Sequence, residues 1–296
     1  MLLVCAIWGL NFSAMKFALR SLPPLGLTAL RFLIASAVLS VVARWLEPRS
    51  PVPARTWWLL AGLGVIGNSL YQLGFINGLA RTTAGNSSLL IASTPLVTAV
   101  LGAAIGTERI TRPVLVAIAL GTTGVVLVVL GRGDGIAFSP ATITGDLLTL
   151  AAVCCWAAFT HGVRRVGAAV SPLQVATITT IGGTPVLVLA GLSDLRHQDW
   201  STIGAVTWTA LLYSALLSIV VAYVIWNRSV SRIGANRTAL FGVSVPLFAL
   251  SAAAILLGER PSKMQLLGAA FIIGSVLVNV LAHWQQREPA VCEEGV

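Results

Sequence analysis

Arg31 is the residue of this chain with the most chemistry at stake. It lies about six residues, or about 9 Å, into an apolar run long enough to cross a membrane. A guanidinium at the centre of a membrane helix costs about 2.5–3.5 kcal/mol on insertion scales. The Leu, Ile, Val and Phe of the same run offset that by a few tenths of a kcal/mol each. A cation so placed either attracts a carboxylate or snorkels to the nearer interface. Lys16 falls near the same side.

Uncharged polar residues recur inside other apolar runs at helical spacing. Trp8, Asn11 and Met15 share one face of the first run, and Asn68, Tyr71, Gln72 and Phe75 share one face of the third. Asn86 and Ser93 share a face of the fourth, with Thr94 before Pro95. In the eighth, Ser214 and Ser218 make one face, and Tyr223, Trp226 and Asn227 another. Trp8 and Trp156 sit away from helix ends at matching places in the two halves of the chain. Polar groups in lipid face a cavity or another helix. Converging Asn, Gln, Tyr and Ser can hydrogen-bond a zwitterion. They can equally bond helix to helix, at about 0.6 kcal/mol each. The candidate binding set is therefore Trp8, Asn11, Arg31, Asn68, Tyr71, Gln72, Asn86, Ser93, Trp156, Ser218 and Tyr223.

The acidic residues make an informative contrast. Glu108 and Glu259 fall at helix ends, Asp146 near a helix start, and the others in loops or the tail. No carboxylate falls mid-membrane. His161, one turn before Arg164, reads as an interfacial histidine. Cys5, Cys154, Cys155 and Cys292 lack metal-ligand spacing. No metal or cofactor is expected.

These residues need elements to position them. A membrane-crossing helix takes about 20 apolar residues. Ten such runs are predicted, at roughly 1–19, 25–45, 57–78, 84–105, 113–131, 145–163, 172–191, 203–226, 235–257 and 265–284. Apolar types make 56 % of the 296 residues and charged types 10 %, against about 25 % charged in soluble domains. The net charge of +9 is spread between the runs rather than over one basic face, so no nucleic-acid partner is expected. Counting Lys and Arg between runs, eleven fall on the side of the N-terminus and seven opposite. That bias predicts both termini cytoplasmic.

The two halves repeat. TPLVTAVLGAAIGTER at 94–109 corresponds to VPLFALSAAAILLGER at 245–260, which aligns Pro95 with Pro246 and Glu108 with Glu259 at an offset of 151. Trp8 aligns with Trp156, and Pro24 with Pro172, at an offset of 148. Each repeat holds five helices, and an odd number inverts the second copy. Inverted repeats are typical of secondary transporters, with the site near the midplane between the halves. The predicted fold is therefore an all-α integral membrane protein of ten transmembrane helices in two inverted five-helix repeats, 1–135 and 140–284, with a polar C-terminal tail at 285–296. Gly74-x-x-x-Gly78 has the spacing of a close, movable helix contact, and Ala270-x-x-x-Gly274 that of a homodimer contact.

WGLNF at 8–12, Lys16, PP at 23–24, RF at 31–32 and the ER ending the fourth and ninth runs together resemble the EamA-type transporters of the drug/metabolite transporter superfamily. The resemblance covers roughly residues 1–284. It implies ten helices, both termini inside, and export of small polar metabolites, often amino acids or their derivatives, from the cell membrane, here a bacterial inner membrane. Drug-type and nucleotide-sugar relatives share the architecture. Small multidrug relatives use a membrane-embedded Glu that the first run lacks, which argues against cationic drugs. A polytopic membrane enzyme is the alternative from another class; neither H-E-x-x-H nor G-x-S-x-G occurs, and the three His are far apart. A receptor is the third reading.

Overall fold

The computed structural model describes residues 1–47, 51–106, 112–131, 140–166 and 170–285. Glu108, Arg109 and the tail from 286 onward lie outside the described residues. Among the described residues every regular element is helical, and each of the ten apolar runs holds a helix. They are α1 (Leu2–Ala18), α2 (Pro24–Leu46), α3 (Ala54–Arg81), α4 (Ala84–Ala104), α5 (Arg112–Leu130), α6 (Pro140–Val166), α7 (Pro172–His197), α8 (Ala205–Ile233), α9 (Ala235–Phe241 and Val245–Leu257) and α10 (Lys263–Gln285). Six of them, α2, α3, α4, α6, α7 and α8, are long and apolar enough to cross a membrane; α1, α5, α9 and α10 supply shorter apolar helices. The apolar runs understate α6 and α7, whose polar ends at Arg164, Arg165 and Ser193 to His197 stay helical.

Four helices are interrupted, and apart from a π-helical segment at Ala253–Leu257 of α9 the interruptions correspond between the halves. α3 carries a π-helical segment at Val65–Leu70 and α8 one at Ser214–Val221. α4 breaks at Ala92 and Ser93, and α9 at Gly242–Ser244. Proline explains both breaks. Pro95 has no N–H for the Ile91 carbonyl one turn back, and the Thr94 hydroxyl donates to that carbonyl instead, at 2.6 Å. Pro246 likewise cannot serve the Gly242 carbonyl, which accepts from the Val245 N–H in a tighter 3-10 turn.

Packing follows the repeat. α5 lies along α10, and α2 along α7. Other close pairs exchange when each helix is replaced by its counterpart five places away: α3–α6 with α8–α1, α3–α7 with α8–α2, and α1–α9 with α6–α4. Glycines let these backbones meet. A Cβ on Gly124 would lie 2.7 Å from the Gly268 carbonyl, and one on Gly268 the same distance from the Gly124 carbonyl. Gly74 and Gly78 abut the α6 backbone at Leu148 and Gly145. Ala270 is exposed, and Gly274 has open space beside it. Large apolar side chains such as Leu189 and Ile255 point outward, as lipid-facing residues do.

Candidate functional site

The breaks in α4 and α9 and the π segment of α8 converge on a central cavity between the helices. The walls are Trp8, Asn11 and Phe12 from α1, Arg31 from α2, Tyr71, Gln72 and Phe75 from α3, Ile91 and Thr94 from α4, Trp156 from α6, Ser218, Tyr223 and Trp226 from α8, and Ala239, Gly242 and Val245 from α9. Eight of the eleven residues expected from the sequence are among them.

Aromatic rings form most of the enclosure. Trp8 meets Trp156 edge-on with centroids 5.8 Å apart, and Trp226 at 5.1 Å. Trp156 also touches Tyr71 at 5.1 Å and Tyr223 at 5.5 Å. Edge-to-face and tilted pairs at these distances suit the ring quadrupoles and fix the rotamers. The indole N–H of Trp8 donates to the Ser218 carbonyl at 3.0 Å. Ser218 lies in the π segment of α8, so this bond ties α1 to the irregular turn of its partner.

Repeat mates meet inside the cavity. Trp8 and Trp156 do so as rings. Gln72 and Tyr223, which correspond at the offset of 151, are joined by a hydrogen bond from Gln72 Nε2 to the Tyr223 hydroxyl at 3.3 Å. The approximate two-fold relation between the halves therefore runs through the cavity.

Several buried polar atoms of the lining have no protein partner. They are Nε and Nη1 of Arg31, the indole N–H of Trp226, Oδ1 of Asn11 and Oε1 of Gln72. Arg31 is 1 % exposed, so snorkelling to the interface is not its arrangement here. No Asp or Glu is among the lining residues. Unpartnered buried polar groups are expensive, and charged ones more so. A wall that leaves three N–H donors and two amide acceptors open is complementary to a ligand carrying both an anion and a donor.

Three expected residues stand elsewhere. Asn86 is held by Thr82 at 2.9 Å, by Asp146 at 2.8 Å and by Gln265 at 3.3 Å. Ser93 donates to the Leu90 carbonyl at 2.6 Å, part of the α4 break. Asn68 lies wholly buried in the π segment of α3, beside Gly183 of α7. His161 faces the Thr98 carbonyl at 2.9 Å between α6 and α4. The candidate set omitted Phe12, Phe75, Ile91, Thr94, Trp226 and the α9 break. Trp226 was signalled by its place one turn after Tyr223, and the breaks by Pro95 and Pro246.

Comparison with known proteins agrees with the repeat. The model of the EamA-like transporter family matches residues 1–130 and again 143–281. The chain is 33 % identical over 300 residues to a Salmonella typhimurium protein named "Probable amino-acid metabolite efflux pump", covering 98 % of this chain and 96 % of that one. It is 28 % identical over 289 residues to a "Probable terminal-alkyne amino-acid exporter" of Streptantibioticus cattleyicolor, covering 97 % and 95 %. A crystal structure at 20 % identity superposes with a TM-score of 0.67 over 97 % of both chains, which shows the same fold.

Proposed function

We infer that this chain, which belongs to the EamA-like transporter family, exports amino acids or closely related carboxylate-bearing metabolites through its central cavity. Membership makes it a multi-pass membrane transporter and not an enzyme. The observation that carries the substrate reading is the unpartnered Arg31 guanidinium in an aromatic cavity without a lining carboxylate. Arg31 takes the substrate carboxylate in a charge-assisted pair. Asn11 Oδ1 and Gln72 Oε1 accept from its amino group, and the surrounding rings attract an ammonium through their faces. The N-terminal end of the second half of α4 opens beside Thr94, where the helix dipole also favours an anion. The names of the two relatives support the same class of substrate.

In this reading residues 1–135 and 140–284 are inverted repeats that exchange roles between inward-open and outward-open states. Paired irregular turns in α3 and α8, and in α4 and α9, give each half the same places to bend. Both termini then face the cytoplasm, in a bacterial inner membrane. The absence of a lining carboxylate disfavours cationic drugs as substrates.

The test is efflux from proteoliposomes loaded with the twenty amino acids and common derivatives, read by mass spectrometry with and without a pH gradient. Selective loss of a few carboxylate-bearing compounds is expected. Folded protein that released none of them in either condition would overturn the reading.

A further inference from the structure

One turn and a half beyond Asn11, α1 enters a second, open cleft. Lys16 of α1, Arg20 just past the end of α1 and Arg81 at the end of α3 border it, together with Thr82, Thr83 and Glu259. Arg81 and Arg20 rest on neutral partners, whereas Lys16 lies within the field of Glu259. Arg81 Nη1 donates to the carbonyl and the side-chain oxygen of Asn77, at 2.7 and 3.1 Å. The Arg20 guanidinium lies 4.6 Å from the Phe17 ring centroid. The one carboxylate of the cleft, Glu259, has both oxygens engaged by backbone at the start of α4, accepting from the N–H groups of Ala84 and Gly85 at 3.0 and 2.9 Å. Its charge is directed at that helix N-terminus, and the cleft keeps a positive excess.

The cleft and the central cavity share four helices, α1, α2, α3 and α9. Asn11 and Lys16 are five residues apart on α1, about 7.5 Å along the axis. Between the two spaces lies an apolar layer: Phe12 and Phe75, in edge-on contact at 5.5 Å, backed by Met15 and Leu79. Phe12 and Phe75 belong to the cavity wall, and Lys16 and Ala80 to the cleft. An anion leaving Arg31 along this path crosses apolar side chains and meets cations on the other side.

We propose that the cleft bordered by Lys16, Arg20 and Arg81 is a second anion site, which takes the substrate's carboxylate from Arg31 when the apolar layer parts. The proposal rests on the export reading above, whose orientation makes this cleft the outer mouth. A cation there lowers the energy of the carboxylate as it leaves the cavity, and so speeds release without changing how tightly the central site binds. Being open to solvent, the site is weakened by salt.

The decisive experiment compares the unaltered protein with the Lys16→Gln/Arg20→Gln double variant, using the same amino-acid mixture in proteoliposomes and equilibrium dialysis in detergent. The efflux rate of the double variant is expected to fall about fivefold, as loss of exposed charge partners allows, with the dissociation constant unchanged. Lys16→Arg with Arg20→Lys, which keeps the charges, is expected to keep the rate, and this separates charge from misfolding. Raising external salt is expected to slow the unaltered protein and leave the double variant as it was. Equal efflux rates for the unaltered and double-variant proteins would overturn the site alone. So would a loss of binding that matches the loss of rate, which would put both residues at the central cavity. If the unaltered protein moved no carboxylate, the export reading would fall and this site with it.

Discussion

Asn86 and Arg31 are equally buried, each 1 % exposed, yet their surroundings are built in opposite ways. The side-chain amide of Asn86 donates to Asp146 and Thr82 and accepts from Gln265, so one residue ties α4 to α6 and α10. The guanidinium of Arg31 has Nε and Nη1 without a protein partner, and the open atoms of Asn11, Gln72 and Trp226 line the same cavity. Burial does not distinguish the two regions. Satisfaction of the polar groups does. A satisfied network holds helices at a fixed distance, whereas an open set of donors and acceptors stays costly until something else completes it. In the export reading the Asn86 region is scaffold, and the Arg31 region is the receptacle.

The sharpest way to break that contrast is Arg31→Met. Removing one partner of a buried charge pair costs about 2–5 kcal/mol of binding, so efflux of carboxylate substrates is expected to fall by about 30-fold or more. The melting temperature of the variant in detergent is expected to hold or rise, because an uncompensated buried charge has been replaced by an apolar side chain. A melting temperature that fell as steeply as transport would make Arg31 a scaffold residue and erase the distinction. Asn86→Ala should behave in the reverse sense. Leaving its buried partners unsatisfied costs about 1–3 kcal/mol of stability, read as a lower melting temperature. Efflux per folded molecule should stay close to that of the unaltered protein. A loss of substrate affinity without a loss of stability would move Asn86 into the binding set.

Both residues are apparent in the sequence as polar interruptions of apolar runs, and sequence alone gives them the same reading. What separates them is contact with residues 60 and 179 positions away, Asp146 and Gln265, and no local pattern encodes that. The scaffold at large was far more legible. Among the described residues each apolar run holds a helix, six of them long and apolar enough to cross a membrane, since lipid leaves the backbone few alternatives. The breaks in α4 and α9 were marked by Pro95 and Pro246. The π segments in α3 and α8 had no such mark: no residue type demands an extra residue per turn, and those segments are otherwise ordinary apolar helix. They are nonetheless where Asn68 and Ser218 sit. The ends of α6 and α7 were misjudged by a turn or more because helix geometry outlasts the apolar segment wherever polar residues can stay solvated.

The weakest expected effect tests where the receptacle meets the repeat. Gln72 and Tyr223 are repeat mates in contact, and Gln72 also offers an open acceptor to the cavity. Their mutual bond, at 3.3 Å, is long for a strong interaction, and such a bond contributes about 0.5–1.5 kcal/mol. Tyr223→Phe removes only the hydroxyl and should raise the substrate concentration at half-maximal efflux by about two- to tenfold. Gln72→Leu removes the same bond together with the open acceptor, so its effect should be the larger. In the double variant, Tyr223→Phe should add little once Gln72 is gone, because both changes break one bond. Strict additivity would mean that the two side chains serve the substrate separately, and that the contact between the halves at this point has no part in binding. Non-additivity confined to the maximal rate, with affinity untouched, would instead assign the pair to the movement of one half against the other.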